Sequence, residues 1–187
     1  AKKFGVVFEV RSSLNDNPGT TVKESSPDME NVVVRGVSLD KNQAKVTLLN
    51  VPDHPGVAAS IFQPLSAAAV NVDMIVQNVS HEDGLPVTDL SFTVEKTDLT
   101  KAQKVLNDLQ QSIGFAEMTT DESICKLSVV GVGMKSHSGV AARLFEVLST
   151  EKVNILMIST SEIKISVVIE CSKGEAALKS THAAFVG

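Results

Sequence analysis

Two stretches of the chain space their apolar residues alike. In DHPGVAASIFQPLSAAAVNVDMIVQNVS, residues 53–80, Val57, Ile61 and Leu65 recur at every fourth position with Ala58 and Phe62 alongside, which is one apolar stripe on a helix. In SHSGVAARLFEVLSTEKVNILMISTS, residues 136–161, Val140, Leu144, Val147 and Leu148 repeat the pattern. Gly56 answers Gly139, Phe62 answers Phe145, Asn71 answers Asn154 and Ile75 answers Ile158, all at an offset of 83 positions. The likeness continues across small gaps. AKVTLLNV (44–51) matches CKLSVVGV (125–132), and DLSFTVEK (89–96) matches KISVVIEC (164–171). These runs are rich in Val, Ile and Thr, as half-buried strands prefer.

Each unit therefore reads strand, helix, strand, strand, helix. The second helix of unit one is predicted at 100–113 through Ala102, Val105, Leu106 and Leu109, and its weaker counterpart at 173–185. Pro55 suits a first helical position, and Ser138 at the matching place suits a cap. A fourth strand at about 115–122 completes unit one, whereas unit two runs out at "FVG". A sheet left without that strand exposes a row of ladder groups. Upstream lies NVVVRGVSLD, residues 31–40, a strand without a home, with Val32, Val34 and Gly36 on one face. It is expected to be the fourth strand of unit two, so that the first module is inserted within the second. An extra edge strand on unit one is the alternative.

Composition narrows the function. The 187 residues suit two small domains or one of medium size. A net charge of -5 argues against a nucleic-acid binder, and with neither Trp nor Tyr large stacking surfaces are scarce. No apolar run nears the roughly 20 residues needed to span a bilayer, and AKKFGVVFEV does not read as a secretion signal. A cytoplasmic location is expected. Cys125 and Cys171 lack metal-site spacing and read as reduced packing thiols. His54 and His137 hold equivalent loop places without a Cys, Asp or Glu cluster and read as solvated. GVGMKSHSG (131–139) lacks the phosphate-loop arrangement.

The chain resembles paired ACT domains, as found in the regulatory part of aspartokinase, whose beta subunit is made separately from the catalytic one. The resemblance rests on VVVRGVSLDKNQAKVTLLNVPDHPGVAASIF, NVDMIVQNVSHEDG, VVGVGMKSHSGVAARLFEVL and VNILMISTSEIKISVVI. It implies an α+β fold of two ferredoxin-like βαββαβ ACT domains, with antiparallel sheets and the helices on one face. ACT domain 1 takes residues 44–122, and ACT domain 2 takes 31–43 plus 123–187. On this resemblance residues 1–30 are expected to be a linker and a remnant of the kinase domain's C-terminus, because FEVRSSLNDNPGTTV (8–22) looks like that domain's closing strands.

The resemblance also implies an allosteric subunit, itself non-catalytic and without a cofactor or metal. It would bind threonine, alone or with lysine, between ACT modules, form a homodimer through them, and join a catalytic alpha subunit in a heterotetramer that phosphorylates aspartate. A ligand-free dimerisation module is the alternative function.

A zwitterion needs donors for its carboxylate and acceptors for its ammonium. The PDHPG loop leads into a helix N-terminus, where unpaired N–H groups suit a carboxylate and Gly56 permits close approach. Asn71, Asp73, Gln77 and Asn78, with Asp53 in the loop, can accept from an ammonium and a hydroxyl. Val57, Ala58 and Val72 complete the first expected effector site. Asp53 as a plain cap and Gly56 as a plain turn glycine are the alternatives. The resemblance implies a second site of Met134, Ser136, Gly139, Val140, Asn154, Ile155, Ser161 and Glu162, with Glu162 an acceptor for a lysine ammonium or, alternatively, a solvated strand-end carboxylate. Leu156 stands where Asp73 does in the first copy, Thr160 for Gln77 and Ser161 for Asn78, so the two sites are not chemically equivalent.

Overall fold

The computed structural model describes residues 6–14, 18–22, 34–82, 85–131 and 139–187. Strands β1 (Phe8–Val10) and β2 (Thr20–Val22) form a small hairpin, and β3 (Gly36–Asp40) follows. The first repeat unit runs β4 (Gln43–Pro52), α1 (Val57–Ala67), β5 (Val72–Glu82), β6 (Leu85–Glu95), α2 (Leu99–Ile113) and β7 (Glu117–Asp121). The second runs β8 (Ile124–Val130), α3 (Val140–Thr150), β9 (Ile155–Thr160), β10 (Lys164–Glu170) and α4 (Gly174–Phe185).

Strand order shows which strand completes the second sheet. One sheet is β5-β6-β4-β7 and the other β9-β10-β8-β3, every pair antiparallel. β3 thus holds the edge place that β7 holds in the first sheet. It pairs with β8 from Gly36 opposite Val130 to Asp40 opposite Lys126. The chain then leaves that sheet for the other within two residues. Asp40 fixes this turn, accepting the Asn42 N–H at 2.9 Å and the Gln43 Nε2 at 2.8 Å. The first module is accordingly inserted within the second.

Alternation along the strands builds the cores. Ala44, Val46 and Leu48 meet Val57, Ile61 and Leu65 of α1 and Leu99, Ala102 and Leu106 of α2. Cys125, Leu127 and Val129 meet Val140, Leu144 and Leu148 of α3 and Ala177 of α4. On β3 the core side is Val37 and Leu39, with Val34 just before the strand. The expected face through Val32, Val34 and Gly36 shifts phase there, and Val32 lies outside the described residues. The sheet faces turned away from the helices meet in a third cluster of Met74, Val76, Ile124, Met157 and Val168.

The repeat is written into the backbone as well. Gly56 and Gly139 precede their helices with φ of 97° and 112°, a region that side chains with a Cβ avoid. Pro55 therefore sits one residue before this cap rather than at the first helical position, and Ser138 lies outside the described residues. At the other end Ala69 and Lys152, again 83 positions apart, both have φ 53°. Each follows a helix whose last carbonyls are satisfied in one way. Ala69 N–H bonds Ser66 O and Val70 N–H bonds Leu65 O, just as Lys152 bonds Ser149 and Val153 bonds Leu148.

The β1–β2 hairpin joins none of these clusters, and Val7, Phe8 and Val10 on it are exposed. Both cysteines are free thiols. Burial, with Cys171 alongside, pushes the Cys125 thiol up to about 12. Among the described residues no helix is long and apolar enough to cross a membrane, and no group of His, Cys, Asp and Glu is arranged for a metal ion.

Candidate functional site

The loop carrying Asp53 is stapled to the sheet. A bulge between Leu48 and Val51 puts Asn50 at φ 51°, where its N–H bonds the Asp89 carboxylate at 3.0 Å. Asp53 N–H then bonds Pro86 O at 3.1 Å, and Val57 N–H closes the turn onto His54 O at 3.2 Å. The Val57 side chain is buried in the first core. What this turn offers a ligand is thus the exposed Gly56 and the start of α1 at Ala58, with the dipole's positive end behind them.

The expected acceptors divide between the two ends of the module. β4 and β5 are each antiparallel to β6 and so run parallel, with α1 returning between them. Val72 is level with Val94 and Ala44, whereas Val79 is level with Thr88 and Val51. Six residues of β6 separate those levels, about 20 Å. Asn71, Val72 and Asp73 therefore sit at one end of the module, and Gln77 and Asn78 lie toward the other, near the Asp53–Ala58 turn. No single free amino acid spans that distance, so residues expected in one site are not brought together within one module.

Asn71, Val72 and Asp73 instead line a cavity of about 310 Å³ at the seam between the modules, together with Asp40, Gln43, Glu95 and Lys126. Lys126 of β8 makes an ion pair with Asp73 and lies 3.6 Å from Asp40. Burial raises the Asp40 carboxyl, but the Asn42 N–H, the Gln43 amide and the Lys126 charge together hold it below its ordinary value. Sequence reading missed Lys126, Gln43, Asp40 and Glu95. Only one signal pointed there: the repeat keeps a lysine in both copies, Lys45 and Lys126, while placing an acid at position 73 and a leucine at 156.

The second expected site is less complete. Met134 and Ser136 lie outside the described residues, as does His137. Gly139 presents its left-handed turn, but Val140 is buried in the second core and Ile155 packs against it. Asn154 is exposed. Ser161 closes the β9–β10 turn, its hydroxyl donating to Lys164 O at 3.3 Å. Glu162 is exposed in the same turn.

Two modules of this fold, one inserted in the other and meeting through their open sheet faces, define a class. Residues 49–110 and 127–185 match the ACT domain family. Aspartokinase of Pseudomonas aeruginosa is 46% identical over 187 residues, covering 99% of this chain and 45% of that protein. The chain thus spans under half the length of the curated relatives it matches. Among solved structures, one of aspartokinase alpha and beta subunits superimposes with a TM-score of 0.76 at 46% identity, covering 82% of this chain and 99% of the matched one. The regulatory subunit of aspartate kinase from Thermus thermophilus, in a ligand-free form, gives 0.76 at 40% identity with the same coverage. The chain belongs to the ACT domain family and, within it, to the tandem-ACT regulatory portions of aspartokinase.

Proposed function

We propose that this chain senses threonine, alone or with lysine, and through it restrains a catalytic partner that phosphorylates aspartate. The observation that carries this reading is the division of the expected site between the two ends of one module. A helix N-terminus suited to a carboxylate stands about 20 Å from Asn71 and Asp73, so a zwitterion finds both only where two modules meet. β5 is an edge strand with Ile75 and Val79 exposed at 49% and 55%. Two copies laid edge to edge in opposite directions would bring the start of one β5 to the end of the other. A homodimer whose sites lie at ACT–ACT contacts follows from this reading.

The partner is an aspartokinase catalytic subunit or domain. The exposed β1–β2 hairpin supports a contact there, since an isolated two-stranded ribbon is marginally stable in water. The chain itself is proposed to be non-catalytic, a reading supported by the lack of a phosphate-loop arrangement in GVGMKSHSG (131–139). Calorimetric titration of the purified chain with L-threonine, L-lysine and ATP tests the reading. Saturable binding of threonine without binding of ATP is expected. Binding of ATP, or of neither amino acid, would overturn it.

A further inference from the structure

Lys126 points away from its own core. It stands on β8 among Ile124, Ser128 and Val130, on the face opposite α3 and α4, and only 13% of its side chain is exposed. Its ammonium is shared between Asp40, on the neighbouring strand of its own sheet, and Asp73, on the edge strand of the other module. Asp73 and Asp40 keep 37% and 40% exposure, so both carboxylates remain open to a competitor.

The surroundings favour one. The seam cavity holds three carboxylates, Asp40, Asp73 and Glu95, against the single charge of Lys126. Gln43, 5% exposed, lends its Nε2 to Asp40 and leaves its Oε1 without a donor. A second ammonium is what this set of acceptors lacks.

We propose that Lys126 is a tethered competitor for the effector's ammonium: in the ligand-free chain it occupies Asp73, and an arriving primary ammonium displaces it, loosening β8 of one module from β5 of the other. This rests on the reading of Asp73 as an ammonium acceptor of the effector site. The repeat makes the device single. The counterpart of Lys126 is Lys45, which lies opposite Asp121 in its own sheet, and the counterpart of Asp73 is Leu156, which can hold no cation. Only one of the two module contacts is therefore sensitive to an ammonium. An ion pair whose carboxylate stays 37% exposed is a weak brace, but a weak brace suffices. A competitor that leaves about one-fifth of the chains open raises the apparent dissociation constant about fivefold.

The test titrates the full 187-residue chain, as wild type, Lys126→Met, Lys126→Arg and Asp73→Asn, with L-threonine and L-lysine by calorimetry, after thermal melts establish that each variant folds. Lys126→Met should bind the amino acid that wild type binds about fivefold more tightly, Lys126→Arg about as wild type does, and Asp73→Asn more weakly. Unchanged or weaker binding in Lys126→Met beside weakened binding in Asp73→Asn overturns the competitor while leaving the effector reading intact. Undiminished binding in Asp73→Asn, or no binding by any variant, overturns the effector reading and the competitor with it. If Lys126→Met fails to fold, Lys126→Gln takes its place with the same expected gain.

Discussion

Met74 and Met157, equivalent positions of the repeat on β5 and β9, are buried in one cluster between the two sheets, at 4% and 5% exposure. The two copies of the repeat therefore face each other through like residues. Methionine suits such a seam because its unbranched side chain fills an irregular gap. Truncating Met157 to Ala should cost about 2–4 kcal/mol, and truncating both should depart from additivity because they share the cavity. Urea unfolding of the single and double variants measures this. A loss well under 1 kcal/mol for Met157→Ala would mean that the modules are not held together here.

Gly56 and Gly139 have open space where a Cβ would stand, so any cost of alanine comes from the backbone alone. With φ at 97° and 112°, Gly56→Ala and Gly139→Ala should each lose about 1–2 kcal/mol. Gly36→Ala is the control. It too meets nothing within 4 Å but has no positive φ, and it should be neutral or slightly stabilising. Thermal melts of the three variants check the contrast.

A chain beginning at Gln43 lacks β3 and should fold poorly, although the missing strand lies far in sequence from the module it completes. Its loss bares the β8 edge and takes Val34, Val37 and Leu39 from the second core. Aggregation or a broad melt is expected, by light scattering and circular dichroism. A cooperative melt at the full-length midpoint would contradict the role given to β3.

The fold was legible because the repeat could be aligned without gaps across a helix and a strand, and because a missing fourth strand in one unit matched a spare strand before the other. The site was legible only in part. The turn glycine and the polar edge of β5 show in the sequence as residue types. Their separation by the length of the module depends on β4 and β5 running parallel on either side of β6, which no local pattern records. The role of Lys126 was hidden for another reason. Along β8 it reads as an ordinary outward-facing strand residue, and its partner Asp73 lies 53 positions away in another sheet.

Acid should weaken the chain through specific carboxylates. The Ser123 hydroxyl holds the Asp121 carboxyl below its ordinary 3.8, at an O–O distance of 2.6 Å, with the Ser123 N–H adding to it at 2.8 Å. A carboxyl depressed on folding contributes stability above its unfolded value, and that contribution is lost as pH falls from there through the folded value. Asp40 has the same sign. Asp121→Asn should therefore be less stable than wild type above the ordinary 3.8, and the difference should shrink as pH drops below it. Urea midpoints across that range give the test, and a difference that grows in acid would reverse the assignment.

An amino-acid effector is proposed to be held where two ACT modules of separate copies meet. Gln77 is exposed on β5, outside the cores, so Gln77→Ala should leave the ligand-free melt unchanged while weakening threonine binding by about 1–2 kcal/mol. A ligand that binds only the assembled state favours it by about 2.7 kcal/mol at a hundredfold excess over its dissociation constant. Sedimentation velocity of wild type and Gln77→Ala, with and without L-threonine, measures the claim most directly. A threonine-driven shift toward dimer is expected in wild type, with more threonine needed in Gln77→Ala. A wild-type chain that stays monomeric at saturating threonine, or a full response in Gln77→Ala at the wild-type concentration, would contradict it.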